Sequence, residues 1–127
     1  MRLLLDTNIL IALSSNWRSR LDARMRSAIE SADNACGASI VSLWEIAIKL
    51  RIGKLKTRRS AAEVADYFDA VDIPLLPITR AHVLAELDEQ PETRDPFDRL
   101  LLAVCQIEGL RLITLDRALA THPLAWR

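Results

Sequence analysis

The sequence predicts an α/β fold in which a central parallel sheet of four to five short strands is flanked by helices. Short apolar runs alternate along the chain with longer segments of helical pattern, which is the order of elements in parallel sheets. The apolar runs are also continuous instead of alternating with polar residues, as expected of strands covered on both faces. No repeat or linker divides the 127 residues, so we expect a single domain over residues 1–127.

The predicted strands and helices follow one another in a regular order. Four short strand candidates are LLL (3–5), CGASI (36–40), IPLLP (73–77) and RLIT (111–114). Helices are predicted over 8–14, 19–31, 42–53, 61–71, 80–89, 97–108 and from 117 onward. Ser42 and Thr79 are suitable first residues for two of these helices, and Gly53 and Gly109 are suitable last ones. The tail HPLAWR (122–127) holds a candidate for a fifth strand.

The composition is that of a globular protein, with half of the residues hydrophobic and 27% charged. Lys plus Arg and Asp plus Glu number 17 each, so the net charge favours neither nucleic acid nor membrane. The charge is unevenly spread, because the segment KLRIGKLKTRR (49–59) holds six basic residues and no acid. No apolar run reaches the ~18 residues of a membrane span, and the N-terminus lacks a signal-peptide pattern. We therefore expect a soluble, cytoplasmic protein.

Four carboxylates recur where predicted elements meet one edge of the sheet. Asp6 directly follows the first strand, and Asp116 comes just after the fourth. Glu45 and Asp98 lie near the starts of two predicted helices. Since ligands of parallel α/β proteins collect at the carboxyl ends of the strands, we expect these four side chains to lie together.

Each of these carboxylates also has a purely structural interpretation. Asp6 and Asp116 can cap the helices that follow them. Ser42 and Glu45 have the spacing of a capping box, and Asp98 is favoured by the dipole in the first turn of a helix. Four separate caps need not converge on one edge, however. Two unit charges ~4 Å apart repel by about 4 kcal/mol at an intermediate dielectric, so a convergent cluster requires protons or a cation.

Three motifs resemble those of a known family. They are LLLDTN (3–8), SLWEIAIKLRIGKL (42–55) and DPFDRLLLAVCQIEGLRLITLD (95–116), in that order along the chain. By these motifs the chain resembles the PIN-domain ribonucleases, and within them the VapC-type toxins of bacterial toxin–antitoxin pairs. The resemblance covers essentially the whole chain and implies a three-layer PIN-like fold.

The resemblance also implies an acidic quartet that binds Mg²⁺ or Mn²⁺, namely Asp6, Glu45, Asp98 and Asp116. Carboxylate oxygens without His or Cys partners suit such hard cations. Residues that would support these ligands are Thr7, Asn8, Asp95 and Thr114. Asp98 is preferred to Asp95 as the ligand because it precedes Gly109 by eleven positions, as in these enzymes.

The activity that the resemblance implies is metal-dependent hydrolysis of RNA phosphodiester bonds. Carboxylate-bound Mg²⁺ or Mn²⁺ lowers the pKa of a coordinated water and stabilises negative charge on phosphate oxygens. The implied partners are an RNA substrate, a VapB-like antitoxin that inhibits the enzyme, and a second copy of the chain in a homodimer. Basic residues that would contact RNA or antitoxin are Lys49, Arg51, Lys54, Lys56, Arg99 and Arg117.

A second interpretation is a PIN-like module that binds RNA or protein without catalysis. The complete quartet argues against it, because a pure binding protein has no need to tolerate the repulsion among four carboxylates. For the basic segment 49–59, a solvated surface is the alternative to phosphate contacts.

Overall fold

A computed structural model of the chain describes residues 1–127, apart from the side chains of residues 16 and 17. Within this described chain, four strands form one parallel sheet in the order β3-β2-β1-β4. The strands are β1 (Arg2–Leu5), β2 (Ala35–Ser39), β3 (Leu75–Leu76) and β4 (Arg111–Ile113). The predicted parallel α/β fold with four short strands is confirmed.

Helices connect the strands, and a 3₁₀ turn over Asn16–Arg20 follows the first of them. The helices are α1 (Thr7–Ser14), α2 (Ala23–Glu30), α3 (Ile40–Arg51), α4 (Ala61–Ala70), α5 (Arg80–Leu84), α6 (Pro96–Glu108) and α7 (Arg117–Ala120). No helix in the described chain is both long and apolar enough to cross a bilayer.

The central strand β1 packs against apolar side chains on both of its faces. Leu3 and Leu5 belong to a core that contains residues of α1, α3 and α4, such as Phe68. Leu4 points to the opposite face, where it joins a second core with Leu102 and other residues of α6. Successive side chains of a strand point to opposite faces, so an unbroken apolar run is what this burial requires. The result is the three-layer arrangement of helices, sheet and helices.

Helix α3 begins earlier than predicted. Ser39 ends β2, and its Oγ accepts a hydrogen bond from the backbone N–H of Val41 at 3.1 Å, which caps the helix. The predicted capping box of Ser42 with Glu45 is therefore wrong, because the chain turns into the helix as soon as the strand ends. Ser42 lies buried in the first turn, and Glu45 lies on the second.

Two other predicted helices are shorter in the structure. The helix predicted over 19–31 starts only at Ala23, because the Asp22 side chain accepts from the N–H of Met25 at 2.8 Å and caps it there. The helix predicted over 80–89 stops at Leu84. Beyond it, the Gln106 side chain binds the Glu86 carbonyl and the Asp88 N–H, each at 2.9 Å, and these contacts replace the next helical turn.

The candidate fifth strand in the tail is reduced to a single parallel bridge between Leu112 and Ala125. Two backbone hydrogen bonds make it, from Leu112 N–H to the Leu124 carbonyl at 2.9 Å and from Trp126 N–H to the Leu112 carbonyl at 2.8 Å. The tail thus runs beside β4, on the edge of the sheet opposite β3.

Gly109, which ends α6 as predicted, allows the role of glycine at a helix end to be tested. Gly109 adopts φ 69° and ψ 40°, the left-handed conformation, and no atom outside its immediate neighbours lies within 4 Å of the position that a Cβ would take. We expect Gly109→Ala to lower the free energy of unfolding by about 1–2 kcal/mol through backbone strain alone. Urea denaturation measures the change. Gly109→Asn should lose less, because Asn tolerates this conformation; equal losses for Ala and Asn would contradict the explanation.

Candidate active site

Asp6 is held in a fixed position at the carboxyl end of β1. Its backbone N–H donates to the Ile113 carbonyl at 3.0 Å, so the pairing of β1 with β4 extends to this residue. One carboxylate oxygen accepts from the Thr7 N–H at 2.8 Å and caps α1, as predicted. The other accepts from the Thr114 hydroxyl at 2.6 Å. With 3% of its surface exposed, Asp6 has little water to solvate its charge.

Thr114 links the first acid of the quartet to the last. While its hydroxyl donates to Asp6, the hydroxyl oxygen accepts from the backbone N–H of Asp116 at 3.0 Å. Asp116 in turn caps α7, because its Oδ1 accepts from the Ala118 N–H at 2.9 Å. Thr114 therefore contacts the turn that carries Asp116, and it also binds Asp6 directly.

Glu45 is buried beside the start of α1. The Thr7 hydroxyl donates to its Oε1 at 2.6 Å, and the Ser42 hydroxyl lies 2.9 Å from that of Thr7. The Thr7 side chain thus supports Glu45, while its backbone supports Asp6. Asn8, the other residue assigned to this role, has an exposed side chain and no hydrogen bond to Asp6 among the described contacts.

Asp98 lies in the first turn of α6 and is 8% exposed. Asp95 caps that helix by accepting from the Phe97 N–H at 2.8 Å. Asp98 is therefore free to face the other acids, and its Oδ2 accepts from the Thr93 hydroxyl at 3.3 Å. Thr93 was not identified from the sequence, because it lies in the loop before α6, where no periodic pattern indicates which side chains point inward.

The pKa values of two acids show that the quartet shares one electrostatic field. Burial raises the pKa of Asp6 to about 6, although Thr114 and Thr7 oppose the rise, and the charges of Glu45 and Asp116 add to it. Burial also raises the pKa of Asp98 to about 7, with further contributions from the charges of Asp95 and of the three other quartet members. Carboxylates from four distant segments are therefore close enough to repel one another.

Lys49 is the basic residue that the structure places inside this acidic field. Its ammonium group pairs with Oε2 of Glu45, one helical turn away on α3. Burial lowers the pKa of Lys49, but the hydrogen bond and charge of Glu45, with the charges of Asp95 and Asp98, raise it above the ordinary value. Lys49 is thus a cation already present among the carboxylates.

The other basic residues predicted for RNA or antitoxin binding are exposed and do not pair with the quartet. The guanidinium of Arg99 donates to the side chain of Gln90 instead. Four further residues have exposed side chains without an ion pair among the described contacts, and these are Arg51, Lys54, Lys56 and Arg117. They remain available to an anionic partner.

The four carboxylates are of the chemical type that binds Mg²⁺ or Mn²⁺, but the distances between them are too long to enclose an ion. Buried carboxylate oxygens in a strongly negative field are the ligands that these cations prefer. In the part of the chain that the structure describes, however, no three His, Cys, Asp or Glu side chains stand close enough together to enclose an ion.

Comparison with known proteins agrees with this fold. The sequence model of the PIN domain family matches residues 3–123. A solved structure with a similar fold is a toxin–antitoxin complex from Klebsiella pneumoniae; its TM-score is 0.62 at 20% identity, and the alignment covers 98% of this chain and 96% of that one. At this identity the likeness shows the fold alone. A comparison with curated proteins finds no match to this sequence.

The raised pKa of Asp98 predicts a pH dependence of stability. Its pKa is about 7 in the folded protein against 3.8 for an ordinary Asp, so between these values the folded state keeps a proton that the unfolded state has lost. Unfolding then releases a proton, and the free energy of unfolding falls as the pH rises from about 4 to 7. We expect Asp98→Asn to remove the contribution of Asp98 in metal-free protein and to leave the smaller one of Asp6, whose pKa is raised to about 6.

Urea denaturation in a chelating buffer, at several pH values from 4.5 to 8, measures the difference. Asp98→Asn should gain stability relative to wild type as the pH rises. Asp66→Asn, at an exposed position on α4, controls for the loss of one charge. Parallel curves for wild type and Asp98→Asn would show that the pKa of Asp98 is not raised in the folded protein.

Proposed function

The chain belongs to the PIN-domain family, and from this premise we propose that it is a metal-dependent endoribonuclease that acts as the toxin of a toxin–antitoxin pair in the cytoplasm. The observation that carries the proposal is the arrangement of acids at the carboxyl edge of the sheet, where Asp6, Glu45 and Asp98 are buried and each accepts a hydrogen bond from a threonine hydroxyl. A similar fold occurs in a toxin–antitoxin complex, which supports the toxin role and a cognate VapB-like antitoxin as partner. The nuclease domain spans residues 1–127, and the enzyme works as a homodimer.

In this proposal the residues that hold Mg²⁺ or Mn²⁺ are Asp6, Glu45, Asp98 and Asp116. When bound, such an ion lowers the pKa of a coordinated water and stabilises negative charge on the phosphate oxygens. The chain's own contribution is to orient the ligands: the hydroxyls of Thr114, Thr7 and Thr93 bind Asp6, Glu45 and Asp98 in turn. Each hydroxyl orients one carboxylate through a single hydrogen bond, and carboxylate oxygens have further lone pairs with which they would hold a cation.

Lys49 has two consecutive tasks in this proposal. Without a divalent ion its ammonium neutralises Glu45 and reduces the repulsion within the quartet. With a divalent ion held by the quartet, the Lys49 ammonium would be free to contact a phosphate of the substrate at the rim of the site. Arg99 and Arg117 follow two quartet members in sequence and would bind the RNA backbone or an acidic antitoxin segment there. Arg51, Lys54 and Lys56 extend the same basic surface.

Cleavage of RNA tests the proposed activity. Purified, antitoxin-free protein should cut total RNA in the presence of Mg²⁺ or Mn²⁺ and leave it intact in a chelating buffer. Asp98→Asn should lower the rate by about 100-fold or more, since even residues that only support metal ligands are typically worth 10–100-fold. Asp66→Asn should cut at the wild-type rate. Absence of metal-dependent cleavage by well-folded protein would favour the alternative, a PIN-like module that binds RNA or protein without catalysis.

Thermal unfolding tests the metal site independently of activity. A cation that binds only the folded protein at 100 times its Kd adds about 2.7 kcal/mol of stability, so Mn²⁺ should raise the Tm of wild type. Asp6→Asn keeps a good helix cap but removes one ligand charge, and it should lose most of this rise. Lys49→Met removes the competing ammonium, so the rise should occur at lower Mn²⁺ concentrations. An unchanged response in Asp6→Asn would place the cation elsewhere.

A further inference from the structure

A basic cavity lies at the end of α1 that is remote from the acidic quartet. Its volume is about 590 Å³, within the usual range of ligand pockets. The basic cavity is bordered by the end of α1, the turn that follows it, the segment between α3 and α4, and Tyr67 of α4. Its polar lining residues are Ser14, Ser15, Arg18, Lys56, Thr57, Arg58, Arg59 and Tyr67. As far as the structure describes that lining, it holds four cations and no carboxylate.

The four cations have no internal counter-charge. Arg18, Lys56, Arg58 and Arg59 form no ion pair with any carboxylate among the described side chains. They come from two segments about forty positions apart in the sequence, so the fold and not local spacing brings them around one volume. Like charges gathered around one cavity create a positive potential that attracts an anion.

Tyr67 positions two of these cations. A guanidinium nitrogen of Arg18 donates to the Tyr67 hydroxyl at 3.3 Å, and the guanidinium of Arg59 lies 5.9 Å from the centre of the Tyr67 ring. The ring itself packs edge-on against the fully buried Phe68, with centroids 5.2 Å apart. Two guanidinium groups are thereby held in place at the cavity by one half-buried aromatic side chain, which lowers the entropic cost of binding an anion.

We propose that the basic cavity binds a backbone phosphate of the RNA strand whose scissile bond lies at the quartet. Guanidinium groups match the oxygens of a phosphate with paired hydrogen bonds, and hydroxyls add further donors. Four uncompensated positive charges fit a dense polyanion better than a peptide with an occasional acid. This inference rests on the proposed function for the identity of the strand.

Helix α1 sets the distance between the two sites. Asp6 caps its first turn, and Ser14 at its end lines the basic cavity. Its eight residues, at about 1.5 Å each, make it about 12 Å long. An RNA strand that lies across the quartet therefore reaches the cavity within a few nucleotides. Lys54 lies on the chain segment that leads from α3 to the cavity, and Lys56 lines the cavity itself.

RNA binding in a cleavage-deficient background tests the inference. Fluorescence anisotropy of a labelled 12-nucleotide single-stranded RNA is measured on Asp98→Asn protein, with and without the added pair Arg18→Gln/Arg59→Gln. We expect the pair to weaken binding about tenfold at low salt. The slope of log K against log salt should fall by about 0.7, the value for one phosphate contact on a single strand. A second pair, Lys56→Gln/Arg58→Gln, leaves the contacts of Tyr67 intact and should also weaken RNA binding.

The matched control removes two exposed arginines outside the cavity, Arg26 on α2 and Arg80 on α5. Arg26→Gln/Arg80→Gln makes the same change in net charge and should alter RNA binding by less than twofold. An equal loss in the control and cavity pairs would overturn the inference, because general charge would then explain it. The cleavage assay on wild type separates the two proposals. RNA binding that depends on the cavity, without cleavage, would support the phosphate site and contradict the nuclease activity. Cleavage without cavity-dependent RNA binding would support the nuclease activity and contradict the phosphate site.

Two further probes identify a different occupant. Inorganic phosphate is tested by thermal shift. Stabilisation that the cavity pairs abolish, combined with unchanged RNA binding, would assign the cavity to small phosphates and overturn the RNA assignment. Poly-L-glutamate that binds the parent protein, but not the cavity pairs, would likewise assign it to an acidic protein segment if RNA binding stays unchanged. Loss of RNA binding alone supports the inference.

Discussion

Burial of carboxylates that are brought to one edge of a parallel sheet, together with their mutual repulsion, is the constraint on which the local structure depends. Burial and neighbouring charges raise the pKa values of Asp6 and Asp98, so these groups are costly to ionise in the folded protein. Donors around them reduce that cost. Three threonine hydroxyls each bind one carboxylate, and the ammonium of Lys49 neutralises Glu45. The site is therefore arranged to hold negative charge until a cation or a proton compensates it.

The order of the strands determines which acids meet. β1 lies between β2 and β4, and the pairing of Leu5 with Ile113 brings the residues after both strands side by side. Thr114 can then reach Asp6 although 108 positions separate them. On the other side, α3 starts directly at the end of β2, which places Glu45 beside the first turn of α1. Each contact of the site thus follows from one strand register or one helix start.

Local signals made the elements that carry Asp6, Asp98 and Asp116 predictable. Each acid directly follows an apolar run or a clear helix start, and Asp95 with Pro96 marks the start of α6 as expected. The start of α3 could not be predicted in this way, because Ser39 and Ser42 are equally good caps in isolation. The contact of Ser42 with Thr7, across 35 positions, belongs to the folded state alone. The roles of the acids as metal ligands came from the family resemblance.

Long-range contacts explain several further differences between sequence and structure. Gln106 on α6 binds the backbone of residues 86 and 88, so the helix predicted to continue there ends at Leu84. Thr93 and Lys49 reach the quartet from a loop and from the second half of α3, and no local pattern distinguishes them from solvated residues. Contacts between residues that are distant in sequence cannot be predicted from a short segment of sequence. Such contacts determine where the helix after Thr79 ends and which side chains reach the quartet.

The neutral net charge conceals a separation of charge that the fold creates. Acids and bases number 17 each, yet four acids gather at one end of α1 while four uncompensated bases surround a cavity at its other end. Surface pairing of those acids with those bases would have cancelled both fields. Their separation leaves a negative field suited to a cation and a positive field suited to an anion, about 12 Å apart along one helix. Under the proposed function, a single RNA strand bound through a cation at one end and through guanidinium groups at the other would use both fields at once.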